Sequence, residues 1–176
     1  MAHTALQVAN RIIELGRSKH PPQYYTPMQL LKLVYIAHGW TLGICNTPLI
    51  KEQVQAWKYG PVIPELYQSV KNYGSNPIFD EKIGSFWKNQ IGNFTDNPFT
   101  ADENAVIQYV VDSYGSIDGI TLSQITHAPD TPWSATFNHY GWGDVIPMDL
   151  IANHYRLLLD KVRRNAANPA YPSSTT

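Results

Sequence analysis

Ala5, Leu6, Ala9, Ile12, Ile13 and Gly16 recur at steps of three and four residues, the spacing that lines one face of an α-helix, and His20-Pro21-Pro22 ends the pattern. Thr26-Pro27-Met28-Gln29 then supplies an N-cap threonine, a proline at the first helical position and a glutamine at N3, a capping box that predicts a second helix. This one carries Leu30, Leu31, Leu33, Val34, Tyr35, Ile36, Ala37, Trp40 and Leu42, apolar almost all round, as expected of a helix enclosed by others. We place this central helix at about 27–42, with Gly43 as a left-handed C-cap and Pro48 just beyond. Between Leu49 and Tyr59 a short extended pair fits as well as a loop. Val62, Leu66, Val70 and Tyr73 mark a third helix, opened by prolines and closed by Gly74.

From Ser75 to Phe99 no period is sustained. Phe79, Phe86, Trp87, Phe94 and Phe99 lie there among glycines and prolines, and so long a connection is usually functional or holds short elements of its own. Regular pattern resumes at Thr100-Ala101-Asp102-Glu103, a second capping box, with Val106, Val110 and Tyr114 leading to Gly115. Thr121-Leu122-Ser123-Gln124 repeats the signature and opens a short helix ending near His127, since Pro129 disfavours a helical Ala128. Another helix starts at Thr131-Pro132. The last, Met148 to Arg164, presents Ile151, Tyr155, Leu158, Leu159 and Val162 on one side. The expected fold is all-α, six or more helices around the central one, with at most a trace of strand. One helical domain over residues 1–166 and a Pro/Ser/Thr-rich disordered tail over 167–176 account for the chain.

Composition narrows the partners. Thirteen Lys and Arg against 14 Asp and Glu leave a net charge of -1, which argues against nucleic acid or an anionic membrane surface. Charged residues make up only 15% and aromatics 12%, a balance that leaves apolar surface for a protein partner. No apolar run is long enough to span a bilayer, and the first residues lack the pattern of a secretory signal. The single cysteine, Cys45, excludes an intrachain disulfide and suits a reducing compartment, so a cytoplasmic protein is expected.

Three blocks carry a family likeness: Thr26-Pro27-Met28-Gln29-Leu30-Leu31-Lys32-Leu33-Val34-Tyr35, then Ala56-Trp57-Lys58-Tyr59-Gly60-Pro61-Val62, then Leu122-Ser123-Gln124-Ile125-Thr126-His127 with Pro132-Trp133. In this order and at these intervals they resemble the Panacea domain, also called SocA-like, whose relatives include phage-associated protein GepA. The likeness covers roughly the first 140 residues. It implies a bacterial or prophage-encoded antitoxin that neutralises a co-encoded protein toxin by contact, or delivers it to a cellular protease. It implies no enzymatic reaction and no cofactor. A phage or prophage regulator or anti-defence protein that binds a host protein is the alternative.

Candidate contact residues follow from the same blocks: Lys32, Tyr35, Lys58, Tyr59, Gly60, Pro61 and His127. Lys32 is the one charge in the central helix, with Tyr35 at i+3 and Gly39 at i+7, so it either opens a polar window towards a partner or sends its ammonium to solvent on an apolar stem. The turn Trp57 to Pro61 can hold a rigid aromatic edge for an interface. Trp57 itself is expected to pack in the core, with Trp133 packing beside His127, and His127 to hydrogen-bond backbone at the end of its helix. His127, Asp130, His139, Asp144 and His154 bring imidazole and carboxylate together, the chemistry of metal sites and acid–base work, but in no close ligand spacing, so no metal is expected. His38 and Cys45 form a conceivable nucleophile pair only if the helix passes Gly43, and a plain buried thiol is the reading preferred.

Overall fold

Three threonines begin helices in the same way. In the computed structural model, which describes residues 2–84, 97–140 and 142–167, Thr4, Thr26 and Thr100 each accept from the N3 amide while the N3 side chain, Gln7, Gln29 or Glu103, answers the cap amide. Each box satisfies two of the four amides a helix start leaves without intrahelical partners. They open α1 (Ala5–Arg17), α2 (Pro27–Cys45) and α4 (Ala101–Tyr114). A hairpin of β1 (Gln55–Trp57) and β2 (Gly60–Val62) follows α2, then α3 (Pro64–Val70) with a 3-10 turn at Lys71–Tyr73. After α4 come α5 (Gly119–Thr126), α6 (Pro132–Tyr140) and α7 (Met148–Ala167). The expectation of an all-α fold is met: seven helices and one two-stranded sheet lie among the described residues.

Helix α2 is the axis of the structure, buried without a break from Leu30 to Leu42 and packed against α1, α4, α5 and α7. Its enclosure is the reason for its unbroken apolar surface. Gly43 does not cap it. The helix runs on to Cys45 and ends on Asn46, whose φ of 57° is the left-handed conformation that asparagine tolerates. Gly39 and Gly43 serve the crossing with α7 instead. A Cβ on Gly39 would lie only 2.1 Å from Tyr155 Cε2, and one on Gly43 would lie 2.9 Å from the Tyr155 backbone. Tyr155, thus seated, meets Trp40 edge-on at 5.3 Å and Tyr35 at 6.2 Å.

The extended pair lies later than 49–59. It joins residues 55–57 to 60–62, so Gly60, Pro61 and Val62 belong to a strand and α3 begins only at Pro64. Pro61 sits opposite Ala56 and has no amide to donate. Ala56 accordingly turns its own groups outward, its amide to Asp144 O at 2.8 Å and its carbonyl to Gly143 N at 2.7 Å.

Two helix expectations need correction. Asp118, not Thr121, caps α5: its carboxylate accepts from the amides of Ile120 and Thr121, which starts the helix at Gly119. Val162 is exposed, because α7 has by then passed the end of the core. Within the long connection, Ile78 and Ile83 are buried and Phe79 lies exposed against Tyr24, while Phe86, Trp87 and Phe94 fall outside the described residues. So does the tail from residue 168 onward.

Candidate functional site

The hairpin is pinned through three alternate carbonyls. Trp133 Nε1 donates to Trp57 O at 2.7 Å, Ser123 Oγ to Tyr59 O at 2.6 Å, and Lys32 Nζ to Pro61 O at 2.9 Å. The donors come from α6, α5 and α2, so the three sequence blocks that share a family likeness meet at one turn. Residue 57 ends β1, 59 lies in the turn and 61 belongs to β2, so each donor fixes a different part of the hairpin. Gly60 adopts φ of +105°, and a Cβ there would meet Lys32 Nζ at 2.8 Å and Thr126 Oγ1 at 3.3 Å. Glycine is therefore required twice over, for the backbone angle and for the close approach of the amine.

Beside the pinned turn lies a cleft of about 490 Å³ between the start of α2, the hairpin, the end of α3 and Trp142. Trp57 forms one wall, meeting Tyr67 at 5.1 Å and Trp142 at 5.6 Å. Lys32 contributes to its floor and Lys58 and Lys71 to its rim. Lys58 Nζ stands 5.3 Å over the Tyr59 ring.

Lys32 is only 3% exposed, which corrects both expectations for it: the ammonium neither snorkels to solvent nor forms an open polar window. Its one hydrogen-bond partner among the described residues is Pro61 O. Burial pulls its pKa down from 10.5 to about 7, because taking the charged form out of water is unfavourable.

The remaining candidates separate. Lys58 and Tyr59 are exposed at the cleft, Tyr59 by 61%, and Gly60 and Pro61 are buried behind them. Trp57 is half-buried rather than a core residue, its indole N–H donating to Gln55 Oε1 at 2.9 Å. Tyr35 does not reach the cleft. It is fully enclosed near Tyr155, and burial raises its hydroxyl pKa. His127 faces a second, more open depression of about 700 Å³ that Asp130, His139 and His154 also line. It packs on Trp133 at 5.2 Å, as expected, but its Nδ1 lies 3.3 Å from Ser123 Oγ rather than on backbone. The Ser123 hydroxyl already donates to Tyr59 O, so this serine–histidine contact is part of the clamp.

No group of three His, Cys, Asp or Glu side chains with metal-holding geometry occurs among the described residues. Helix α2 does reach Cys45, yet His38 Nδ1 accepts the Ile50 amide at 3.4 Å, and burial lowers its pKa to about 4. Cys45 is half-exposed, not buried. Ser123, Met28, Tyr67, Lys71 and Trp142 were not legible as site residues. Trp142 lies outside every predicted period, and Tyr67 and Lys71 fall within the predicted third helix with no signal that sets them apart.

The architecture defines an all-α protein in which separated segments converge to hold one hairpin at the edge of an aromatic, lysine-bearing cleft. The chain belongs to the family described as Antitoxin SocA-like, Panacea domain, whose profile matches residues 30–134. A relative, Antitoxin SocA of Caulobacter vibrioides (strain NA1000 / CB15N), is 28% identical over 137 residues, 78% of this chain and 72% of that protein. No solved structure matches the chain. No helix among the described residues is long and apolar enough to cross a membrane.

Proposed function

We propose that this chain neutralises a co-encoded protein toxin in the cytoplasm by binding it directly, and that the face around Lys58, Tyr59 and Trp142 is where the toxin sits. The family assignment carries the reading, because the family is one of antitoxins and the relative that spans most of the chain bears that name. The choice of face is supported by the exposed Tyr59 and Trp142 beside a cleft whose backbone is held by three side-chain clamps. Rigid aromatic anchors of this kind lose little entropy on binding and concentrate interface energy. His127 lines a separate depression and reaches the clamp through Ser123 and Trp133.

The test is co-expression with the neighbouring toxin gene. Growth should be rescued, and the two proteins should co-purify at fixed stoichiometry. Rescue without a complex would refute direct binding and would leave delivery of the toxin to a protease as the mechanism to pursue.

A further inference from the structure

We propose that the cleft between α2, the hairpin and α3 receives an acidic, apolar peptide segment of the partner: a large apolar side chain against Trp57, Tyr67 and Trp142, and an adjacent carboxylate directed to the Lys32 amine. This inference rests on the reading of that face as the toxin contact and adds the chemistry of what it binds.

Charge complementarity selects the occupant. Lys32, Lys58 and Lys71 all line the cleft, and among the described residues no Asp or Glu does. None of the three forms a salt bridge among the described residues. Lys32 is the most telling. Its amine, nine-tenths or more buried, gives one N–H to Pro61 O and has no other hydrogen-bond partner among the described residues, although an ammonium offers three donors. A carboxylate entering the cleft supplies the acceptor and the opposite charge that a desolvated amine lacks.

The walls set the rest. Trp142 is 67% exposed and Met28 38%, so apolar surface continues from the cleft to its rim. A free small carboxylic acid would leave that surface wet, whereas a peptide with a Leu or aromatic residue beside its acid covers both. A nucleic acid fits less well. Its phosphates need a track of cations, and the three lysines here surround one pocket in a chain of net charge -1.

Labelled, acetylated and amidated peptides test this by fluorescence polarisation on the full chain: one with the core Glu-Leu-Trp-Glu, one with Gln-Leu-Trp-Gln, and a single-stranded oligonucleotide of equal charge. The acidic peptide should bind at least about tenfold more tightly than its glutamine twin at low salt, and the margin should shrink as salt rises. Lys32→Met should abolish the preference. The rim change Lys58→Met should reduce it in a chain whose core is untouched, while Lys161→Glu, on the exposed far part of α7, should not alter it. Equal binding of the two peptides, absence of binding by either, tighter binding of the oligonucleotide, or an unchanged preference in both lysine variants would overturn the proposal. The two readings fail separately. Toxin capture that survives Lys58→Glu removes this face as the interface, whereas capture lost in Lys58→Glu without any acidic preference removes only the chemistry.

Discussion

Replacing Lys32 by methionine should make the protein more stable. The drop of the amine pKa from 10.5 to about 7 amounts, at about 1.4 kcal/mol per decade of proton affinity, to roughly 5 kcal/mol by which the charged lysine opposes folding below pH 7. Methionine keeps the length and apolar stem of the side chain but leaves Pro61 O without its donor, which costs about 1–3 kcal/mol for a buried carbonyl. The balance is a gain of about 2–4 kcal/mol, or roughly 5–15 °C in Tm for a chain of this size. The sign with pH is fixed by linkage. Between about 7 and 10.5 the unfolded chain binds a proton at Lys32 that the folded chain does not, so wild-type stability rises through that window and the charge penalty is complete only below it. The advantage of Lys32→Met should therefore be largest at pH 6 and shrink by about 3 kcal/mol by pH 9. Urea titrations at pH 6, 7, 8 and 9 measure this below the range in which Tyr25, pushed up to about 12, and the other buried tyrosines add their own dependence. A variant less stable than wild type by the same amount at every pH would show that Lys32 is charged and well solvated in the folded protein, and the reasoning about the cleft floor would fall with it.

Lys58→Glu reverses an exposed charge, so melting should stay within about 0.5 kcal/mol of wild type while toxin capture weakens about tenfold or more; unchanged capture would move the interface elsewhere. Lys32→Glu is unsuitable for that comparison, because it buries an opposite charge and would unfold the chain before reporting on binding. Gly39→Ala should lower stability by at least about 2 kcal/mol by driving a methyl into the Tyr155 ring, and near-wild-type melting would contradict the close crossing of α2 and α7. His38, held neutral with a pKa of about 4 against an ordinary 6.5, supports folding fully above pH 6.5 and loses up to about 3 kcal/mol of that support as pH falls to 4. His38→Gln, which keeps an acceptor for the Ile50 amide, should flatten this acid limb, and an identical limb in both proteins would place the titration on other groups.

The helical fold was open to reading because its determinants are local. Thr26 and Gln29, or Thr100 and Glu103, lie within one turn of each other, so the hydrogen bonds that begin a helix are written in four consecutive residues. Misreadings arose where a local signal had two physical uses. Gly43 resembles a cap until α7 is seen against it, and Thr121-x-x-Gln124 resembles a capping box until Asp118 takes the amides first. Val62 kept step with a helix but was claimed by a strand whose pairing depends on the turn at Lys58 and Tyr59.

By itself the sequence determined the helical class, the enclosed α2 helix and the three blocks that mark the family. What those blocks do to one another was decided only by tertiary structure, since Lys32, Ser123 and Trp133 find the carbonyls of Pro61, Tyr59 and Trp57 across 29, 64 and 76 residues of chain. Lys32 shows the difference most plainly. Its place on an apolar helix is visible in the sequence, but whether its ammonium reaches water depends on which surface closes over it. That surface is the hairpin, brought there by packing rather than by any neighbouring residue.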